Sequence, residues 1–254
     1  MILRKIIFLG IFITLLGCGS SDLNITKIVE LKNGSIKGVQ EGDLKKYLGI
    51  PYAEPPLGDL RWAPAKPAKN WKGMRSAETN SKICFQPKQI ADFYDRVPDL
   101  NNMSEDCLTL NICSNDIKAN NPVMIWIHGG ALVTGGSSSI MYDLQHLAYR
   151  GVVVVSINYR LGPLGFLKLD EVTDGEIKST GNEGLIDQRN AIKWVKENIS
   201  SFGGDPNNIT IFGESAGSWS CNLQIAAGNE GLFQKAICQS GGLDAVASKE
   251  KANQ

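Results

Sequence analysis

Histidine is almost missing from this chain: 254 residues hold only His128 and His146. Chemistry that needs an imidazole base must use one of these two or go without. Charge of one sign is not in excess either, with Lys+Arg and Asp+Glu at 26 each. Setting aside Arg4 and Lys5, the only charges before residue 20, leaves 24 against 26, a balance of −2. No basic face of the kind that binds nucleic acid follows from that composition. No stretch reaches the ~20 apolar residues that a helix needs to cross a bilayer. Internal repeats and low-complexity tracts are missing too. Hydrophobic content of 43% and charged content of 20% are ordinary for a globular protein, and the length suits one large or two small domains.

The N-terminus reads as a targeting segment. Arg4-Lys5 precede an apolar core of eleven residues, Ile6 to Leu16, the length of a signal-peptide h-region. Leu15-Leu16-Gly17-Cys18 resembles the lipobox of bacterial lipoproteins. Residues 1–18 are therefore expected to be a lipoprotein-type signal with Cys18 lipidated, giving an exported bacterial protein held on a membrane by its acyl chains. Plain secretion is the alternative. Five other cysteines, Cys84, Cys107, Cys113, Cys221 and Cys238, make an odd set, so at least one thiol stays free. Cys84 and Cys107 flank a polar, loop-like segment whose closure would contribute about 3 kcal/mol. Cys221 and Cys238 lie in apolar runs and are expected to be small core residues. Five Asn-x-Ser/Thr sequons carry no weight beside a bacterial-looking start.

Residues 25–47 alternate in short runs broken at Asn33-Gly34 and Glu41-Gly42-Asp43, a hairpin pattern. Five prolines between residues 51 and 67 predict an ordered surface loop. Residues 68–106 look irregular, and Cys107 to Ile112 alternate as a half-buried strand would. The pattern then changes. Val123 to Ile127 and Val152 to Val155 are continuously apolar and mostly β-branched, as strands covered on both faces are. Leu185, Ile192, Val195 and Ile199 form a helical stripe that ends at Gly203-Gly204. A strand over 209–212, a helix to about Ala227 and a last apolar strand from Lys235 to Cys238 complete the series. Alternating strand and helix predicts an α/β, mostly parallel, doubly wound sheet with antiparallel strands at its N-terminal start. Residues 19–254 form one such domain, with no internal linker.

Two motifs carry chemistry. Gly213-Glu214-Ser215-Ala216-Gly217 follows the apolar run Ile209 to Phe212 and precedes a helix. A Gly-x-Ser-x-Gly turn between strand and helix strains the serine backbone and projects its Oγ clear of the sheet. His128-Gly129-Gly130-Ala131 ends another buried strand. Small residues there let backbone N–H groups approach a substrate oxygen, each worth ~3 kcal/mol when negative charge develops on it.

Together with Leu48 to Ala53, Glu105-Asp106-Cys107-Leu108, Asn158 to Gly162, Gly181-Asn182, Gly184-Leu185, Asp187-Gln188, Phe202 to Asn208 and Gln239-Ser240-Gly241, these motifs resemble the type-B carboxylesterases, an α/β-hydrolase family. The resemblance runs from about Ile25 to the last residue. It implies Ser215 as nucleophile and Gly130, Ala131 and Ala216 as oxyanion-hole donors, with Gly129 shaping the turn. It also implies Glu214 as an acid beside the nucleophile, Asn182 as a structural residue beneath the site, and a Cys84–Cys107 disulfide. The substrate class implied is a small-molecule carboxylic ester, with no cofactor, no metal and no nucleic-acid partner.

The chain departs from the family pattern in one respect. In this fold the triad order is Ser, then acid, then His. Here 254 − 215 = 39 residues follow the serine, and none is histidine. His128 belongs to the oxyanion loop and His146 to a following helix. The ending Lys249 to Gln254 reads as polar helix-forming sequence after a possible Ser248 cap. The expectation is a fold whose C-terminal part is missing: a gene fragment, a premature stop, or one half of a split protein whose second polypeptide holds the rest. Strand 235–238 would then be left as an apolar sheet edge. The same family contains non-catalytic adhesion proteins, the neuroligins. They define an alternative reading as a binding module, and a non-functional remnant is a third.

Overall fold

A computed structural model describes residues 24–26, 28–88, 99–139, 142, 145–228, 231–242 and 248. Residues 1–18 with Cys18, and the ending 249–254, lie outside the described residues. The main sheet is eight-stranded, in the order β1-β4-β5-β7-β9-β8-β10-β11. Its strands are β1 (Asn24–Ile25), β4 (Val39–Glu41), β5 (Leu44–Pro51), β7 (Thr109–Ser114), β8 (Asn121–Ile127), β9 (Val153–Ile157), β10 (Gly204–Glu214) and β11 (Lys235–Gln239). A smaller sheet joins β2 (Val29–Leu31), β3 (Gly34–Lys37) and β6 (Met74–Ser76). Pairing from β1 to β9 is antiparallel, whereas β9, β8, β10 and β11 run parallel. The antiparallel share therefore extends further into the sheet than an N-terminal meander. Both hairpins occur, and the first turns at Lys32-Asn33, with Gly34 opening β3 at φ 143°.

Alternation along the parallel strands sorts the core onto two faces. Ile125, Ile127, Val153, Val155, Ile157, Ile209 and Ile211 point to one face, together with Ala191, Ile192, Val195 and Cys221. The helices on that side are α3 (Glu183–Asn198) and α4 (Ala216–Ala226). Val154, Cys113 and Leu44 point to the other face, where the short α1 (Gln145–Ala148) packs through Ala148. A single turn, α2 (Gly162–Phe166), precedes α3. The α3 stripe is buried at Ile192, Val195 and Ile199, and Gly203 ends the following 3-10 turn at φ 82°.

Three expectations need correction. Strand β5 runs into the proline stretch as far as Pro51, passing a register shift between Tyr47 and Ile50. Gly49 makes that bulge possible at φ 69°, and the Asn111 side chain accepts its N–H at 2.8 Å. Strand β7 is buried along its whole length and not half-exposed. Its polar residues are satisfied by neighbouring segments: Ser114 Oγ donates to the Phe202 carbonyl at 2.9 Å, and Asn111 Nδ2 to Asn80 at 3.0 Å. Cys238 is exposed on β11 and does not lie in the core, although Cys221 is fully buried as expected. Among the described residues β11 ends the sheet, with Ile237 44% exposed.

Candidate active site

Parallel pairing places the two sequence motifs together. Gly213 of β10 is in register with Ile127 of β8, so the residues that leave each strand emerge at the same sheet end. Ser215 follows β10 at φ 54°, ψ −120°, a backbone region that only glycine adopts cheaply. Its N–H donates to the Gln239 carbonyl at 2.9 Å, and its own carbonyl accepts the Trp219 N–H at 3.0 Å. These bonds fix the strained residue between β11 and the first turn of α4. The flanking glycines are required by contact. A Cβ on Gly213 would sit 2.5 Å from the Gly217 carbonyl carbon and 2.7 Å from the Ile127 oxygen. One on Gly217 would collide with that same Ile127 oxygen. Ala216 is the first residue of α4 and fully buried. Its N–H is among those that a helix start leaves without an intrahelical acceptor.

Across from Ser215 the chain leaving β8 makes a tight turn. Gly130, Ala131 and Leu132 all have positive φ, at 103°, 54° and 63°. The Gly130 carbonyl accepts the N–H groups of Val133 and Thr134, both at 3.0 Å. Gly129 runs against the elbow: a Cβ there would lie 2.7 Å from the Glu214 carbonyl oxygen and 3.4 Å from Ser215 Cβ. Ala131 is exposed and Gly129 is buried. Glu214 is half-buried, with Oε2 3.3 Å from that same Gly129 position. Burial, then the Glu214 charge, raises the pKa of the nearby Tyr142 hydroxyl.

Neither histidine is placed to act as a base. His128 is 1% exposed, its ring stacks on Tyr159 at 4.4 Å, and Nδ1–H donates to the Gly129 carbonyl at 2.8 Å. Tyr159 in turn donates to the His128 carbonyl at 2.8 Å. Burial lowers the His128 pKa from the ordinary 6.5 to about 4, against the opposing Gly129 bond, so the ring is neutral and structural. His146 lies exposed on α1, on the sheet face opposite α4.

The low pKa of His128 has a consequence for stability. Between pH 6.5 and 4 the unfolded chain binds a proton that the folded one refuses, so stability falls as pH falls through that window and levels off below it. Urea unfolding at pH 5 should give a ΔG about 2 kcal/mol below that at pH 7 from this residue. His128→Asn should flatten that part of the dependence. An unchanged pH slope in the variant would assign the loss to other groups.

One support had no sequence signal. Gln86, a lone amide in an irregular stretch, is buried beside Cys84. Its Oε1 accepts from Gly135 N–H at 2.8 Å and Thr134 Oγ1 at 2.5 Å, and its Nε2 donates to the Gly135 carbonyl at 2.8 Å. The Cys84–Cys107 disulfide, with Cα atoms 5.1 Å apart, anchors Gln86 and so the loop after Ala131. Asn158 Oδ1 holds the next stretch through the Ser137 N–H at 2.8 Å. Beneath α4, Gln188 donates to Ser220, which donates to the Ala216 carbonyl, both at 2.9 Å. Asn182, expected beneath the site, is instead exposed at the start of α3, and its side chain makes no cap bond there. Arg160 and Asp187 form a buried bidentate pair at 2.7 Å. Among the described residues no cluster of three or more His, Cys, Asp or Glu could hold a metal.

The carboxylesterase family model matches residues 25–254. A para-nitrobenzyl esterase of Bacillus subtilis (strain 168) is 43% identical over 231 residues, covering 89% of this chain and 46% of the relative. A fumonisin B1 esterase of Sphingopyxis macrogoltabida is 42% identical over 229 residues, covering 87% and 42%. The solved structure of a thermophilic PNB esterase superposes with a TM-score of 0.79 at 41% identity, over 89% of this chain and 46% of that one. The chain thus spans less than half the length of the relatives it matches. The strand order, the motif positions and these matches agree, and the chain belongs to the carboxylesterase family, with the α/β-hydrolase fold.

Proposed function

We propose that this chain carries the nucleophile and oxyanion-hole half of a serine carboxylic-ester hydrolase. The single observation behind this reading is the strained Ser215 at the end of β10, lying against the Gly129 turn at the end of β8. Ser215 Oγ attacks the ester carbonyl, and the N–H groups of Gly130, Ala131 and Ala216 receive the oxyanion. Collapse expels the alcohol and leaves an acyl-enzyme, which water then hydrolyses. Glu214 sets a negative field beside the acyl site. The proton on Oγ needs a base, and His128 is neutral, buried and turned to Gly129. The acid and the histidine therefore belong to polypeptide outside these 254 residues, either a continuation or a second chain. Relatives named for para-nitrobenzyl and fumonisin B1 esterase activity support a small carboxylic ester as substrate. Export on residues 1–18, with a lipid anchor at Cys18, completes the reading.

Free imidazole offers a test, because a diffusible base can stand in for the missing one. Imidazole should accelerate p-nitrophenyl acetate hydrolysis by this chain at least ~10-fold more than by Ser215→Ala, since general-base assistance is worth ~10²–10⁴ when positioned. An equal imidazole increment in both proteins would remove Ser215 from the mechanism.

A further inference from the structure

The nucleophile helix and the strand beside the elbow each bring a cysteine to their common boundary. On α4, Cys221 lies one helical turn beyond Gly217, on the side that packs into the sheet, and is fully buried. On β11, Cys238 is in register with Gly213 and so faces the same side of the sheet as Gly213 and Ile211, the side that α4 covers. The two elements are in contact along this line. Ser218 Oγ donates to the Gly241 carbonyl at 2.8 Å, and Asn222 Nδ2 donates to the same oxygen at 3.3 Å. The thiol of Cys238 is close enough to that of Cys221 to act on its ionisation, and neither is in a disulfide. One member is sealed from solvent and the other open to it, which is the arrangement of an attacking and a resolving pair.

We propose that Cys221 and Cys238 form a dithiol that a low-molecular-weight disulfide closes into a covalent bond between α4 and β11. The exposed Cys238 thiolate attacks one sulfur of the reagent, forming a mixed disulfide and releasing one thiolate. Cys221, as thiolate, then attacks the Cys238 sulfur and expels the second. Two cysteine thiols are oxidised, one reagent disulfide is reduced to two thiols, and the two cysteine protons pass to the released thiolates. The bond would tie Ser215 from both sides, because α4 begins next to it and Gln239 of β11 accepts its N–H. Closure is slow by construction. Burial, reinforced by the neighbouring Cys238, pushes the Cys221 thiol up to about 12, so little thiolate is present at neutral pH.

The test uses the 254-residue chain with oxidised glutathione, read by peptide mapping under acid quench. The expected product is one intramolecular Cys221–Cys238 cross-linked peptide, preceded by a glutathione adduct on Cys238 alone. Closure should accelerate about tenfold per pH unit between pH 7 and 9. Cys221→Ser should stop at the adduct. Cys238→Ser, at the exposed position, should leave Cys221 unmodified. A glutathione adduct on Cys238 that never resolves, a Cys238–Cys238 link between two chains, or modification of Cys221 in the Cys238→Ser protein would each overturn the proposal.

Discussion

The 254-residue chain should turn over an activated ester such as p-nitrophenyl acetate about 10⁶ times more slowly than a complete serine hydrolase, because loss of the histidine alone costs about that factor. The magnitude corresponds to about 8 kcal/mol of transition-state stabilisation. A second result follows from the same physics. Nucleophile and base act as a unit, so once the base is gone, removing the nucleophile costs little more. Ser215→Ala should therefore change the unassisted rate of this chain by less than about threefold, although the same change would abolish activity where acid and histidine are present. On the proposed reading, what remains comes from the N–H groups assigned to the oxyanion hole, which need no base. Initial rates of both proteins in the same buffer check this. A Ser215-dependent unassisted rate near that of complete esterases would show that His128 or His146 reaches the serine after all.

The largest expected effect on stability lies away from the serine. Asp187 is fully buried and receives both forks of Arg160 at 2.7 Å, together with the Arg160 backbone N–H at 3.1 Å. The remaining guanidinium nitrogen donates to the Ala63 carbonyl at 2.9 Å, so one ion pair joins α3, the chain after β9 and the proline loop. Burial pushes the Asp187 carboxyl up, and the guanidinium works against that shift. Asp187→Ala leaves a buried cation without its partner and should cost about 3–5 kcal/mol in urea unfolding. That is a large part of the 5–15 kcal/mol typical of a domain. Replacing both partners with apolar residues of similar volume, Arg160→Met with Asp187→Leu, should recover most of the loss. A loss under about 1 kcal/mol in the single variant would mean that water reaches the site and hydrates Arg160.

What was legible in the sequence follows from how local each cause is. The elbow could be read because strand, turn and helix are contiguous, and the glycines at 213 and 217 record a contact with Ile127 made at close range. The buried parallel strands announced themselves as continuous apolar runs. Strand β6 did not, because Met74–Ser76 is three exposed residues whose assignment rests on pairing with β3 nearly forty positions away. The burial of Asn111 and Ser114 was hidden for a similar reason. Polar side chains on a half-buried strand and on a fully buried one look alike until their distant partners are known. Gln86 shows the limit most plainly. It holds the loop after the Gly129 turn through three hydrogen bonds across nearly fifty residues, and nothing in its own neighbourhood marks it. Cys238 sits in an apolar run, yet it is exposed at the sheet edge.

The central claim is that Ser215 is a nucleophile without its base, and rapid mixing of the purified chain with p-nitrophenyl acetate tests it most directly. No burst of p-nitrophenol and no acetyl group on Ser215 by mass spectrometry are expected when the chain is alone. With imidazole present, one acetyl group is expected on Ser215, absent from Ser215→Ala. A stoichiometric burst from the chain alone, lost in Ser215→Ala, would contradict it by showing that the base lies within these 254 residues.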